Sequence, residues 1–482
     1  MARWRCAASP AEDARTASHL MGAPRLHIES VDIAPGALLV LAARHPERYP
    51  VLLDSAARGP LSQVSLLAAL PRGMVWLDGR GGLHRSGELP DLPAGGFLAA
   101  LEAHWRQASL GAPGRPPEVP FAGGWFVYLG YELALETEPA LRPWWPEASF
   151  ADARPVAAAL RIPAVLALDA DGTGRLIAEP GVGADELAQI RADLAEAGRV
   201  LPVTPAAPTV KLEEEDPAVY LERIRRAQEY IRAGDIYQAN LSRWWRGELP
   251  ADYPAIDLYR RLRHSNPAPF AGFAQFGEFR VLSSSPERLL RIQGRRLDTR
   301  PIAGTYPRGA TEAEDRALKA ALVAHPKERA EHVMLIDLAR NDLGRVSVGG
   351  SVRVDEYMAV ETYAHVHHIV SNVTGLLAEG ISPAAALRAV FPGGTITGCP
   401  KVRCMQIIAE LEGTPRGPYT GSLGYLNHDG SGDFNILIRT ISLHGRQLEI
   451  RAGAGIVADS VPERELAESR AKARGMLLAV SP

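Results

Sequence analysis

The sequence predicts an α+β fold with large sheets, and two observations carry that prediction. Short strand-like runs such as YPVLLDSA and MVWLDG, broken by Gly and Pro, fill the first part of the chain, and strands then alternate with amphipathic helices to its end. The Gly pairs at 349–350 and 393–394 make neither a GxGxxG nor a GxxxxGK[ST] phosphate loop, which argues against a βαβ dinucleotide-binding fold.

A chain of 482 residues, 46% hydrophobic with a net charge of −3, can bury a large core in two domains or in one double-layered unit. The balanced charge gives no basic surface, so no nucleic-acid partner is expected. No apolar run approaches a membrane span, and the first twenty residues lack the continuous apolar stretch of a signal peptide. A soluble, cytoplasmic protein is the expectation. Cys6, Cys399 and Cys404 lack C-x-x-C spacing and read as ordinary reduced thiols.

The stretch LPVTPAAPTVKLEEED at 201–216 reads as a linker between an N-terminal domain, 1–200, and a catalytic domain, 217–482. The run DELAQIRADLAEAGRVL before it is helical. After it, Asp216 reads as an N-cap and Pro217 as the first helical residue; Tyr220, Ile224, Ala227 and Ile231 form one apolar stripe, and Gly234 ends the helix. The next run, IYQANLSRWW, is a strand with Gln238 and Asn240 on one face and Tyr237, Ala239 and Leu241 on the other. Its alternation favours a polar face turned to solvent over amides lining a cavity.

Two helices carry acids at helical spacing. In PKERAEHVMLIDLARN, Pro326 opens the helix, and Glu328 and Glu331 project from one face. In DSVPERELAESRAKA, Ser460 and Glu463 fit a capping box, which leaves Glu465, Glu468 and Lys472 as a second stripe. An E-x-x-E pair alone reads as a solvated face; four carboxylates on facing helices would suit a hard divalent cation such as Mg2+. SPER presents Glu287 as a candidate general acid. HVHHIVS sets His365 and His367 on one strand face and His368 on the other, and FPGGTITGCPK offers backbone N–H groups and hydroxyls to an anion. RAGAGIV is a Gly-spaced strand that permits close backbone approach.

In order, DIYQANLS, SPERLL, PIAGT, KERAEHVMLIDLARNDLGRV, HVHHIVSNVTG, GGTITGCPKVRCM, PYTGSLGY, ILIRT and AGAGIVADSVPEREL resemble the motifs of the chorismate-utilising enzymes. Weaker likeness extends upstream through VLLDSA and PFAGGWFVYLGYE. The resemblance implies two face-packed antiparallel sheets flanked by helices, with the site in a cleft between them. It implies a Mg2+ site at Glu328, Glu331, Glu465 and Glu468, the metal binding the ring carboxylate of chorismate. Glu287 resembles the acid that assists loss of the 4-hydroxyl, which requires a raised pKa. Tyr419, Arg439, Gly453, Gly455 and Lys472 resemble the grip on the enolpyruvyl carboxylate. Thr395 resembles a contact to the ring end, Thr305 a further substrate contact, and His368 the family histidine near the ring.

Water-using members of the family carry a Lys where this chain has Gln238, so the resemblance implies ammonia as nucleophile. Ammonia would come from a separate glutamine amidotransferase subunit. YQANLS, NPAPF, VHHIVS and FPGGTITG resemble aminodeoxychorismate synthases, whose product passes to aminodeoxychorismate lyase toward 4-aminobenzoate and folate. Ala303 departs from that pattern: PIAGT is the anthranilate synthase form, whereas PIKGT supplies a lysine proposed to add at C2. Leu53, Asp54 and Ser55 resemble the tryptophan site of anthranilate synthases with Asp in place of Glu, which shortens the reach to a bound amino group. The expectation is aminodeoxychorismate formation, with anthranilate synthesis as the alternative and a non-catalytic chorismate or amino-acid sensor as a third reading.

Overall fold

The computed structural model describes residues 25–57, 61, 63–145, 154–200, 203–362 and 366–481. Among them, two antiparallel sheets of twelve and eleven strands are sandwiched between helices. Strand alternation explains the layering. Val51, Leu66 and Val165 of one sheet meet Phe126, Tyr128, Leu160 and Leu423 of the other in a shared core. Their chain neighbours Leu52, Leu67 and Leu166 point the opposite way, against the helices Ala37–Arg44, Ala184–Ala197, Ala255–Ser265 and Pro462–Val480. On the second sheet Val127, Leu290 and Phe434 face the helices Phe97–Ser109, Pro326–Gly344 and Pro383–Val390. Both faces of the central strands are therefore buried, and each enclosed Val, Leu or Phe contributes about 1.5–3 kcal/mol.

Strands from either side of 201–216 share both sheets. Val51–Asp54 pairs with Phe270–Phe276, and Gly124–Leu129 pairs with Ser422–Asn427. Within that stretch, Glu213–Glu214 adds an edge strand beside Trp245 and Arg246. The helix Pro217–Arg232 starts as the sequence predicts: the Asp216 side chain accepts from the Ala218 N–H at 2.9 Å, and Tyr220, Ile224 and Ala227 are buried. Gly234 follows its end at φ +82°, a left-handed turn that favours glycine.

Two sequence expectations need correction. The strand Gln238–Glu248 does not turn its polar face to solvent: Gln238 is 3% and Asn240 7% exposed, because Glu331 and Tyr419 lie against these amides. Ser460 and Glu463 do not form a capping box. The helix Pro462–Val480 has Val461 at its N-cap, one residue past the predicted position, and the Ser460 hydroxyl instead accepts from the Val457 N–H. Cys399 and Cys404 are free thiols, as expected, and Cys6 and His365 lie outside the described residues. Among those residues no helix is long and apolar enough to cross a membrane.

Candidate active site

Most of the predicted residues come from a few strands and turns of the two sheets, within hydrogen-bonding or charge–charge range of one another. On the first sheet Asn240 pairs with Gly455 and Ser242 with Gly453. A Cβ on Gly453 would lie 2.0 Å from the Leu241 carbonyl oxygen, and one on Gly455 would lie 2.1 Å from Gln238 Nε2. Glycine at 455 thus leaves the room in which the Gln238 amide folds over the strand. There Nε2 donates to Glu331 Oε1 at 3.3 Å, and Asn240 Nδ2 reaches the Tyr419 hydroxyl at 3.5 Å.

On the second sheet, Ile302–Pro307 pairs with Val366–Leu376 through a bulge between Ala303 and Thr305. Gly304 sits in the bulge at φ +62°, and a Cβ there would lie 2.8 Å from Leu322 and 3.0 Å from Glu328. The bulge turns the Gly304 carbonyl to His368 Nδ1 at 3.0 Å, which places the ring proton on Nδ1. Burial, reinforced by the charge of Arg439, pushes the His368 pKa down to about 3, so the ring is neutral at neutral pH. Ala303 is 8% exposed and packs with Leu335 and Leu338. Thr305 pairs with His368 in backbone register; its side chain lies outside the described part. His367, on the other strand face, binds Asp315 Oδ1 at 2.8 Å and the Thr362 hydroxyl at 3.0 Å, a structural role.

Glu287 follows the strand Phe279–Ser285 and is 4% exposed. Burial raises its pKa to about 7, against the opposing effects of the Thr395 hydroxyl, the Ile302 N–H, Arg439 and Lys472. Thr395 stands in the turn Gly394–Ile396 and donates to Glu287 Oε1 at 2.8 Å. A carboxyl that holds its proton near neutrality is suited to general-acid work. The Lys472 ammonium bridges Glu468 Oε1 at 2.7 Å and the Gly453 carbonyl at 3.1 Å. Arg439 is half-buried at φ +52°, and its carbonyl accepts from the Ser284 N–H.

The acids of the two helices come within electrostatic range of one another, the Glu468 charge acting on Glu331. Pro326–Gly344 packs on Ile302–Pro307 and Val366–Leu376, while Pro462–Val480 packs on Gln447–Ile456. Glu331 is raised by burial first and then by the charges of Glu328 and Glu468; Glu465 is raised by burial and by Glu468. Among the described residues no three carboxylate, imidazole or thiolate groups converge into a preformed metal cage. Mg2+ keeps several waters and needs only one or two carboxylates, so gathered acids that resist ionising beside one another fit such an ion.

Leu53, Asp54 and Ser55 line a separate cavity of about 360 Å3, whose wall includes none of the candidate catalytic or metal-binding side chains. The Asp54 carboxylate is already engaged by Arg263 Nε at 2.6 Å, the Tyr259 hydroxyl at 3.1 Å and the Ser65 hydroxyl at 3.2 Å. Sequence reasoning passed over Glu412 and Arg416, an ion pair 2.6 Å apart beneath Tyr419. Their E-x-x-x-R spacing was a signal, but a common one on exposed helices.

A family profile described as chorismate binding enzyme matches residues 95–478. The chain is 40% identical over 466 residues to anthranilate synthase component 1 of Thermus thermophilus, covering 92% of this chain and 94% of that one. It is 50% identical over 257 residues to aminodeoxychorismate synthase component 1 of Bacillus subtilis, covering 53% and 54%. In structure it is similar to anthranilate synthase component I of Streptococcus pneumoniae, with a TM-score of 0.73 and 30% identity over 87% of this chain and 93% of the other.

Proposed function

The chain belongs to the chorismate-binding enzymes, and on that premise we propose that it replaces the 4-hydroxyl of chorismate by an amino group. Chorismate and ammonia would give 4-amino-4-deoxychorismate and water. The observation that carries the reading is Glu287, a buried carboxyl with a pKa near 7 held by Thr395. It gives its proton to the departing hydroxyl, the nitrogen bonds to C4, and the new C–N group returns a proton.

Gln238 supports ammonia over water. Its neutral amide, bonded to Glu331, cannot take a proton from a water molecule as an amine could. His368 stays neutral beside the ring. Arg439, Tyr419, Lys472 and the Gly453 and Gly455 backbone form the grip on the enolpyruvyl carboxylate, where an arginine fork and close backbone approach suit a carboxylate. Glu328, Glu331, Glu465 and Glu468 would hold Mg2+, which when bound supplies positive charge to the ring carboxylate. Ammonia would come from a separate amidotransferase subunit, and the product would pass to aminodeoxychorismate lyase in folate synthesis.

Anthranilate formation is the second reading, in which ammonia adds at C2 and pyruvate and water leave. It is favoured by the methyl of Ala303, which offers no nucleophile, and by the near full-length likeness to an anthranilate synthase. At Asp54, a tryptophan amino group would have to displace Arg263. The test is incubation with chorismate, Mg2+ and ammonium, followed by product identification with and without the lyase. Aminobenzoate formed only with the lyase supports the first reading; anthranilate formed without it establishes the second; no turnover at all leaves the sensor.

A further inference from the structure

We propose that Arg416 is a positioning residue for this amination, locking three walls of the site into one register; the inference rests on the reading above. Arg416 is 2% exposed, and each of its five guanidinium N–H bonds has an acceptor. Nε donates to Glu412 Oε2 at 2.9 Å, and Nη2 donates to Glu412 Oε1 and to the Asn240 carbonyl, both at 2.6 Å. Nη1 donates to the Ile396 carbonyl and the Thr420 hydroxyl, both at 3.3 Å. Its backbone N–H donates to Glu132 at 2.7 Å, and the guanidinium lies 4.8 Å from the Tyr131 ring and 5.5 Å from the Tyr419 ring.

These partners belong to separate segments. Asn240 is two residues from Gln238 on the central strand, Ile396 follows Thr395, and Thr420 follows Tyr419. The buried Glu412 carboxylate keeps the cation paired and also accepts from the Ser242 N–H at 2.7 Å and hydroxyl at 3.0 Å. A flat fork with five fixed donors can hold two backbone carbonyls, a hydroxyl and a carboxylate from separate segments at once, which a lysine with three rotatable donors cannot. Arg416 reaches no candidate reacting group directly. It acts through Ile396 on Thr395, and through Thr395 on Glu287.

The consequence is a specific readout. Glu287 is faced by the Thr395 hydroxyl, the Ile302 N–H, Arg439 and Lys472. The hydroxyl donates to the carboxylate and so favours its ionised form. If loss of the Arg416 fork releases the turn, Glu287 holds its proton to higher pH, and the alkaline limb of activity moves up.

The experiment assays R416K, T395V, their double variant and T420A on the full chain, with whichever product the parent makes from chorismate at saturating Mg2+ and ammonium. R416K is expected to keep its circular dichroism and lose on the order of a hundredfold in kcat/KM, the scale of an ångström-sized misplacement. Its alkaline limb should move up with that of T395V, and the double variant should lose no more than R416K alone. Parental activity in folded R416K, or losses that multiply in the double variant, would overturn the proposal. If R416K does not fold, T420A decides: an upward move of the limb supports the proposal and an unmoved limb overturns it. Failure of the amination reading would show in the parent's product, whereas failure of the positioning role would show only in the variants.

Discussion

Thr395 Oγ1 donates to Glu287 Oε1 at 2.8 Å, and this bond ties the Gly-rich turn to a carboxyl near Lys472 and Arg439 whose pKa burial raises to about 7. With Glu287 as general acid, activity requires its protonated form and should fall as pH rises through about 7. Glu287→Gln keeps the shape but carries no transferable proton. It should lower kcat on the order of a hundredfold or more and abolish that limb. A Gln variant with the parental pH profile of kcat would remove Glu287 from the mechanism.

The same shift acts on stability. The folded pKa of Glu287, about 7, exceeds the ordinary value of 4.5, so its contribution is fully present below about 4.5 and is lost as pH rises through about 7. Glu287→Gln removes the penalty for ionising the buried group. Denaturant unfolding should therefore show the variant gaining on the parent by about 3 kcal/mol between pH 4.5 and 8, the equivalent of the shift. An unchanged difference across that range would contradict the assignment.

Gly453 and Gly455 should respond differently to alanine. At 453 the new Cβ meets backbone, the Leu241 carbonyl at 2.0 Å, so the strand pair must part; a loss of about 1–3 kcal/mol in stability is expected. At 455 it meets a movable side chain, Gln238 Nε2 at 2.1 Å, which can swing away from Glu331. G455A should unfold near the parental denaturant midpoint yet lose most of its ammonia-dependent turnover. Equal effects of the two variants on stability and rate would argue against a separate role for the amide.

Glu331→Gln removes a carboxyl whose pKa is raised by burial first and then by the charges of Glu328 and Glu468, and under the proposed Mg2+ site it takes away one ligand charge. The Mg2+ concentration for half-maximal activity should rise on the order of tenfold or more, the scale seen when metal-site partners are lost. Lower pH should weaken Mg2+ in the parent in the same direction, because protonated carboxyls cannot ligate. Titrating activity against Mg2+ at two pH values checks both, and an unaltered half-saturation point in the variant would place the ion elsewhere.

Much of this was legible in the sequence because it is local. The N-cap at Asp216, the helix start at Pro326, the acids three apart on their helices and the glycines of RAGAGIV all act within a turn or a strand pair. What failed or was missed depends on distant segments. Gln238 and Asn240 read as solvent-facing because alternation is blind to what covers a face, here the distant side chains of Glu331 and Tyr419. Arg416 was passed over because its five acceptors come from positions as far apart as Asn240 and Thr420. The bond from Tyr259 and Arg263 to Asp54 joins residues more than two hundred apart, so the VLLDSA run alone could not show that its carboxylate is engaged.

Under the two proposed readings, Ala303 is the position at which the products call for different residues. Its methyl packs against Leu335 and Leu338, with Met334 and Cys399 at the margin, and the neighbouring bulge hands the Gly304 carbonyl to His368. A lysine there must carry its ammonium past an apolar cluster toward the ring side, at a stability cost of about 1–3 kcal/mol for the added bulk. With a chain that aminates C4, A303K should fold and keep part of its aminodeoxychorismate formation, since an amine at this point can itself add at C2 and be displaced. With a chain that adds ammonia at C2, the lysine occupies the position the ammonia needs, and anthranilate should be lost. Chromatography of the products of A303K and the parent, each with chorismate, Mg2+ and ammonium, distinguishes the outcomes. Retained anthranilate in A303K would show that the methyl does not border C2 under either reading.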